Sequence, residues 1–112
     1  MMTALLGVYG FEPVIAASVS DALEHAKAGG IDLCILDHWI TDFNGIELCQ
    51  RIRAFDPHTP IIFYSGAGYK DDIQNGLDAG AQAYLVKPDI EQLKPTIDRL
   101  IDDAGSGYAL TM

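Results

Sequence analysis

Three apolar runs of this 112-residue chain each end on a different reactive side chain: IDLCILD on Asp37, PIIFYS on Ser65 and AYLVK on Lys87. A carboxylate can attack phosphorus to give an acyl phosphate, a hydroxyl can donate a hydrogen bond to the phosphoryl oxygens, and an ammonium can neutralise their charge. Singly, each has an ordinary structural role, since an Asp after a strand usually serves a turn and a Lys there is usually solvated. At the ends of three successive strands they form a coherent phosphoryl-acceptor set. Gly66 and Ala67, which follow Ser65, are small enough to leave the approach to Asp37 open.

These side chains meet only if their strands share one sheet. Runs of strand length cover residues 12–17 (EPVIAA), 31–37, 60–65 and 83–87. The second and third are apolar on consecutive residues, the pattern of strands covered on both faces in a parallel sheet. The segments between them predict helices over 20–28, opened by a Ser cap and closed before Gly29, over 43–55 and over 69–79. A last helix is expected over 90–103, with Pro95 bending it or shifting its start. Alternating strand and helix argue an open α/β sheet with right-handed crossovers, whose ligand site lies at the carboxyl ends of the strands. The predicted domain is 1–104, and the ending GSGYALTM, within 105–112, reads as a frayed tail.

Sixteen acids against seven bases give a net charge of −9, which opposes docking to nucleic acid or anionic membrane surfaces. No apolar run approaches the roughly 20 residues that span a bilayer, and the opening MMTALLGVYGF lacks a basic flank, so a cytoplasmic protein is expected. Cys34 and Cys49 lack metal-ligand spacing and read as reduced core thiols.

Over residues 1 to about 104 the chain resembles the receiver domain of two-component response regulators. The resemblance is carried by Asp37 with Asn44 and Gly45, by Ser65 with Gly66, by Tyr84, Lys87 and Pro88, and by the segment GAQAY before the last of these. It implies a flavodoxin-like, doubly wound parallel sheet in strand order 2-1-3-4-5, a signalling module and not an enzyme. Asp37 would accept a phosphoryl group from a histidine kinase or phosphotransfer protein. Ser65 and Lys87 would hold the phosphoryl oxygens, Tyr84 would act in the switch, and Gly66 and Trp39 would govern access to the acyl phosphate. Mg²⁺ would be ligated by Asp37 and the backbone carbonyl of Trp39, the Lys87–Pro88 peptide would be cis, and output would pass by contact to a downstream protein.

The family pattern also begins with a strand ending in two acids, and this sequence has no acid before Glu12. Residues 1–11 read instead as the second half of the first helix, so the expected sheet is N-terminally truncated and lacks its central strand, which leaves edges on both neighbours. Upstream residues, a homodimer or strand-swapped oligomer, or direct closure of the flanking strands could fill the gap. Without the acidic pair, Mg²⁺ binding should be weak or absent and phosphorylation poor. The alternative function is therefore a phosphorylation-independent scaffold or dimerisation module. A phosphatase of the haloacid dehalogenase type is disfavoured by Trp39 where that class has a second acid. A flavin carrier is disfavoured by the lack of a phosphate-cradling loop.

Overall fold

The computed structural model describes residues 2–37, 39–40, 43–87, 89–101 and 107–111. In chain order these form α1 (Met2–Val8), β1 (Glu12–Ile15), α2 (Val19–Ala28), β2 (Ile31–Leu36), β3 (Trp39–Ile40), β4 (Phe43–Asn44) and α3 (Gly45–Arg53). They continue with β5 (Ile61–Ser65), α4 (Lys70–Asp78), β6 (Ala83–Val86), a 3-10 turn (Ile90–Gln92), α5 (Leu93–Leu100) and β7 (Tyr108–Thr111). The four expected strands all form.

Local chemistry moved several helix starts. Ser18, not Ser20, caps α2: its Oγ accepts from Asp21 N at 3.1 Å while Asp21 Oδ2 accepts from Ala17 N at 2.9 Å. Phe43 does not open α3, because Phe43 and Asn44 pair antiparallel with Ile40 and Trp39. Asn44 then serves as the cap, its Oδ1 accepting from Ile46 N at 2.8 Å. Pro95 shifts the start of the last helix, as expected. The 3-10 turn takes the first residues and Pro95 falls in the opening turn of α5, where an amide needs no helical partner.

Among the described residues the main sheet has five strands, all parallel, in the order β1-β7-β2-β5-β6. Two expectations are thereby corrected. The sheet does not lack its central strand, and the ending is not a frayed tail: Tyr108–Thr111 lies between β1 and β2. The flanking strands neither stay bare nor close on each other. Tyr108 to Thr111 stand opposite Glu12 to Ile15 on one side, and Ala109 to Thr111 stand opposite Leu33 to Ile35 on the other.

The seat of β7 is specific at its start. The β2 register shifts between Ile31 and Leu33, and the bulged Asp32 accepts from Tyr108 N through Oδ2 at 2.9 Å. Gly107 (φ +124°) carries a conformation that suits glycine, and a Cβ there would overlap Asp32 Oδ2 and lie 2.8 Å from its Cγ. Its carbonyl accepts from Glu12 N at 2.8 Å, and at the far end Thr111 O accepts from Ala16 N at 3.1 Å.

Successive β7 side chains then enter opposite cores. Leu110 packs with Ala16, Ala22, Cys34, Leu36 and Leu48 on the face covered by α2, α3 and α4. Ala109 packs with Leu6, Phe11, Leu33, Leu93 and Ile97 on the face covered by α1 and α5. The steps β1 to β2, β2 to β5 and β5 to β6 all move one way across the sheet under the first face. The return from β6 to β7 moves the other way under the second face, so all four crossovers share one hand. Leu110→Ala should therefore lower stability by about 2–5 kcal/mol, read as a fall in the urea midpoint. An unchanged midpoint would mean that β7 is not part of the core.

Cys34 and Cys49 are free and buried, as expected of core thiols. Burial pushes them up to about 12 and about 11, so both are protonated at neutral pH.

Candidate functional site

β2, β5 and β6 lie side by side, with Leu36 opposite Phe63 and Ser65 opposite Val86, so Asp37, Ser65 and Lys87 emerge together at the carboxyl edge. Asp37 Oδ1 accepts from Ser65 Oγ at 2.7 Å and Asp37 Oδ2 accepts from Lys87 Nζ at 2.9 Å. The ladder continues one step past β6, with Lys87 N donating to Ser65 O at 2.8 Å. Ser65 is 1% exposed, whereas the Asp37 and Lys87 side chains are 27% and 46% exposed. The hydroxyl is thus fixed and the carboxylate open to a reactant.

The register that delivers Lys87 is held from the other end of the sheet by the GAQAY segment. Arg53 Nε donates to Gly80 O at 2.9 Å and Arg53 Nη2 to Gln82 Oε1 at 2.8 Å, and the same Oε1 accepts from Ile61 N at 2.7 Å. The α3 guanidinium therefore ties the starts of β5 and β6 together. The sequence reading placed Arg53 on the helix but had no signal for this clamp.

Tyr84 points inward. Its ring stacks on Phe63 with centroids 5.4 Å apart, and a Cβ on Gly76 would come within 2.6 Å of it, so α4 needs glycine at that crossing. Its hydroxyl donates to Ala67 O at 2.6 Å, and Ala67 N donates to Ser65 Oγ at 3.1 Å, which connects the phenol to Asp37 through the loop after β5. Burial pushes the phenol's pKa up, so it remains a donor at neutral pH. Tyr84→Phe removes that bond and should cost about 1 kcal/mol, visible as a lowered thermal midpoint. No change would mean that water replaces the phenol at Ala67 O.

Of the access residues, Gly66 is exposed, and a Cβ there would meet nothing within 4 Å. The backbone of Trp39 pairs with Asn44 in the hairpin after Asp37, while its indole and the Lys87–Pro88 peptide lie outside the described residues. Sequence reading underrated Gly45. A Cβ on it would overlap the carbonyl oxygen of Asp37, so the hairpin folds back until the start of α3 rests on the acceptor's own backbone.

The residues present do not fit a dedicated Mg²⁺ site. Mg²⁺ asks for near-octahedral oxygen ligands, and carboxylates carry most of its binding. Here Thr111, the last described residue of the central strand, stands opposite Ile35, two positions short of Asp37. Among the described residues no three His, Cys, Asp or Glu side chains cluster. Asp37 already holds an ammonium at 2.9 Å, whose charge would repel a dication on the same carboxylate.

The description "Response regulator receiver domain" matches residues 1–98. The chain belongs to this family. Among curated relatives, the receiver domain is 35% identical over 88 residues to the nisin biosynthesis regulatory protein NisR of Lactococcus lactis subsp. lactis, covering 79% of this chain and 38% of that protein. It is 42% identical over 72 residues to the response regulator ArlR of Staphylococcus haemolyticus, covering 63% and 32% of the two chains. The chain thus spans about two-fifths or less of these relatives. Among solved structures, a two-component response regulator from Clostridium difficile superposes with TM-score 0.81 at 24% identity, covering 90% of this chain and 84% of that one. The chemotaxis protein CheY4 of Vibrio cholerae superposes with TM-score 0.77 at 29% identity, covering 90% and 87%. This receiver domain is a module of two-component phosphorelay signalling and not an enzyme. Among its described residues no helix is long and apolar enough to cross a membrane.

Proposed function

We propose that Asp37 is the phosphoryl acceptor of this receiver domain. What carries the reading is the convergence of Ser65 Oγ at 2.7 Å and Lys87 Nζ at 2.9 Å on the two oxygens of one accessible carboxylate. The donor is a phosphohistidine on a cytoplasmic histidine kinase or phosphotransfer protein. An Asp37 oxygen attacks phosphorus, the P–N bond breaks, and its electron pair returns to the imidazole nitrogen as the acyl phosphate forms. Lys87 and Ser65 then turn from the carboxylate to the phosphoryl oxygens. The group adds negative charge and acceptor atoms beside the loop that Tyr84 holds, which biases the surface seen by a downstream protein. Mg²⁺, the ion the family implies, has a weak hold here or none.

The test is phosphotransfer from a phosphohistidine donor, followed by mass spectrometry of the intact chain and its peptides. One phosphoryl group on Asp37, absent in Asp37→Asn, supports the reading; labelling elsewhere, or none from any donor, defeats it.

One observation favours a second reading, a scaffold that acts without phosphorylation. Tyr84 is held inward by its bond to Ala67 O and Ser65 by its bond to Asp37, both contacts made within the chain itself. If Asp37→Asn binds the downstream partner as tightly as the unmodified domain, the scaffold reading stands.

A further inference from the structure

We infer that Arg53 and Gln82 are positioning residues for phosphoryl transfer: from the amino end of the sheet they set the register that places Lys87 on Asp37. This role rests on Asp37 being the acceptor. It gives the GAQAY segment, none of whose side chains but Tyr84 comes near the site, a part in the reaction.

Lys87 stands at the end of a weakly pinned strand. Among the described residues β6 is the last strand of the sheet and has β5 as its partner. Of its four residues Ala83 is buried, while Tyr84, Leu85 and Val86 are half-buried. Burial of one face is what normally specifies register, so a short edge strand with this pattern holds its own register poorly. A slip of one residue would carry Lys87 about 3.3 Å along the strand and turn its side chain to the other face. The 2.9 Å contact with Asp37 Oδ2 would not survive it.

The guanidinium of Arg53 supplies the reference point that the strand lacks. Its Nε donates to Gly80 O at 2.9 Å, Nη2 to Gln82 Oε1 at 2.8 Å and Nη1 to Asp56 O at 3.0 Å. Asp56 organises the turn into β5, its Oδ1 accepting from His58 N at 3.0 Å and from Thr59 N at 3.1 Å. Gln82 closes the link: Oε1 also accepts from Ile61 N at 2.7 Å, and the Gln82 amide donates to Ile61 O at 2.9 Å. The starts of β5 and β6 are thus fixed to one rigid, planar group on α3. Gly80 leaves room for it, since a Cβ there would lie 2.7 Å from Arg53 Cγ. From Gln82 the strand runs about 16 Å to Lys87, so the clamp acts through the strand without touching the reactants.

The experiment follows phosphotransfer from a phosphohistidine donor to the full chain at several donor concentrations. Gln82→Met removes the shared acceptor at an exposed position, where the fold should survive. Transfer at saturating donor should slow by about 10–100-fold, the effect of a misplacement of roughly 1 Å, with the half-saturating donor concentration changed by no more than about twofold. Gln82→Glu keeps an acceptor for both donors and should transfer at nearly the unmodified rate. Arg53→Lys should be as slow as Gln82→Met, because one ammonium cannot span the same acceptors. Gln82→Met combined with Lys87→Met should be no slower than Lys87→Met alone, because the first change acts through the second residue. A further readout needs no phosphoryl group. The Lys87 amide, which donates to Ser65 O, should exchange with solvent about tenfold faster or more in Gln82→Met, while the Ala16 amide, bonded to Thr111 O across the sheet, keeps its rate. Transfer by Gln82→Met at the unmodified rate overturns the inference. So does an equal loss in Gln82→Glu, or losses that multiply in the double variant, since either makes Gln82 a stability residue alone. If the unmodified chain takes no label on Asp37, it is the acceptor reading that fails; unchanged Lys87 exchange in Gln82→Met is the separate result that defeats the clamp.

Discussion

Lys87→Met should slow phosphoryl transfer to Asp37 by about 10²–10³-fold, the effect of deleting one preorganised donor from a site where charge develops. The ammonium lies 2.9 Å from Asp37 Oδ2 and also 5.6 Å from the centroid of the Tyr64 ring, so it is aimed before any phosphoryl group arrives. In a site where a metal shares the charge, losing one lysine is partly covered. Here no three His, Cys, Asp or Glu side chains cluster among the described residues, and more of the neutralisation falls to Lys87. Chelating Mg²⁺ should accordingly slow labelling by about tenfold or less, because an ion held by one carboxylate binds weakly. The substitution should leave folding almost intact, since an ion pair this exposed contributes about 0–1 kcal/mol. Labelling of Lys87→Met at the unmodified rate would remove the ammonium from the mechanism. A variant that still labels while chelation abolishes transfer would assign the charge to a metal.

The acceptor set was legible because each member ends an apolar run, and a parallel sheet brings strand ends together whatever the loops do. Asp37, Ser65 and Lys87 needed only the strand boundaries, which period and length give well. β7 was not legible for the opposite reason. Residues 108–111 offer two side chains to the core, follow a run of glycine and serine, and have neither the length nor the β-branched content that marks a strand. Their strand character comes from the vacancy between β1 and β2, a tertiary property that local pattern does not encode. The expectation of an empty strand place took the lack of an acid before Glu12 for the lack of the strand itself. β7 fills that place through its backbone, pairing with β1 on one side and β2 on the other. The Arg53 clamp and the Gly76 crossing were invisible for a related reason, as each depends on a partner about 30 or fewer residues away meeting it only after the helices dock.

Gly45→Ala should be strongly destabilising, while Gly66→Ala, beside the same site, should be nearly silent. Neither glycine has a positive φ, so the contrast isolates space from backbone conformation. At position 45 the added carbon would overlap the Asp37 carbonyl oxygen, lie 2.9 Å from its carbon and press on Phe63 at 3.2 Å. The main obstacle is backbone, so no rotamer change relieves it. Relief requires moving the start of α3 away from the end of β2, which breaks the Asn44 cap on Ile46 or the pairing of Trp39 with Asn44. Overpacking of this kind costs about 3 kcal/mol or more when backbone must shift. The displaced group is Asp37 itself, so any folded fraction should also lose the 2.7 Å bond from Ser65 and label slowly. At position 66 nothing lies within 4 Å, and stability should change by no more than about 0.5 kcal/mol. Urea unfolding and phosphotransfer on the two variants separate the effects. Equal midpoints would show that the hairpin after Asp37 stands clear of α3. A Gly45→Ala chain that is destabilised but labels at the unmodified rate would show that the carboxylate keeps its place when its backbone support is pushed aside.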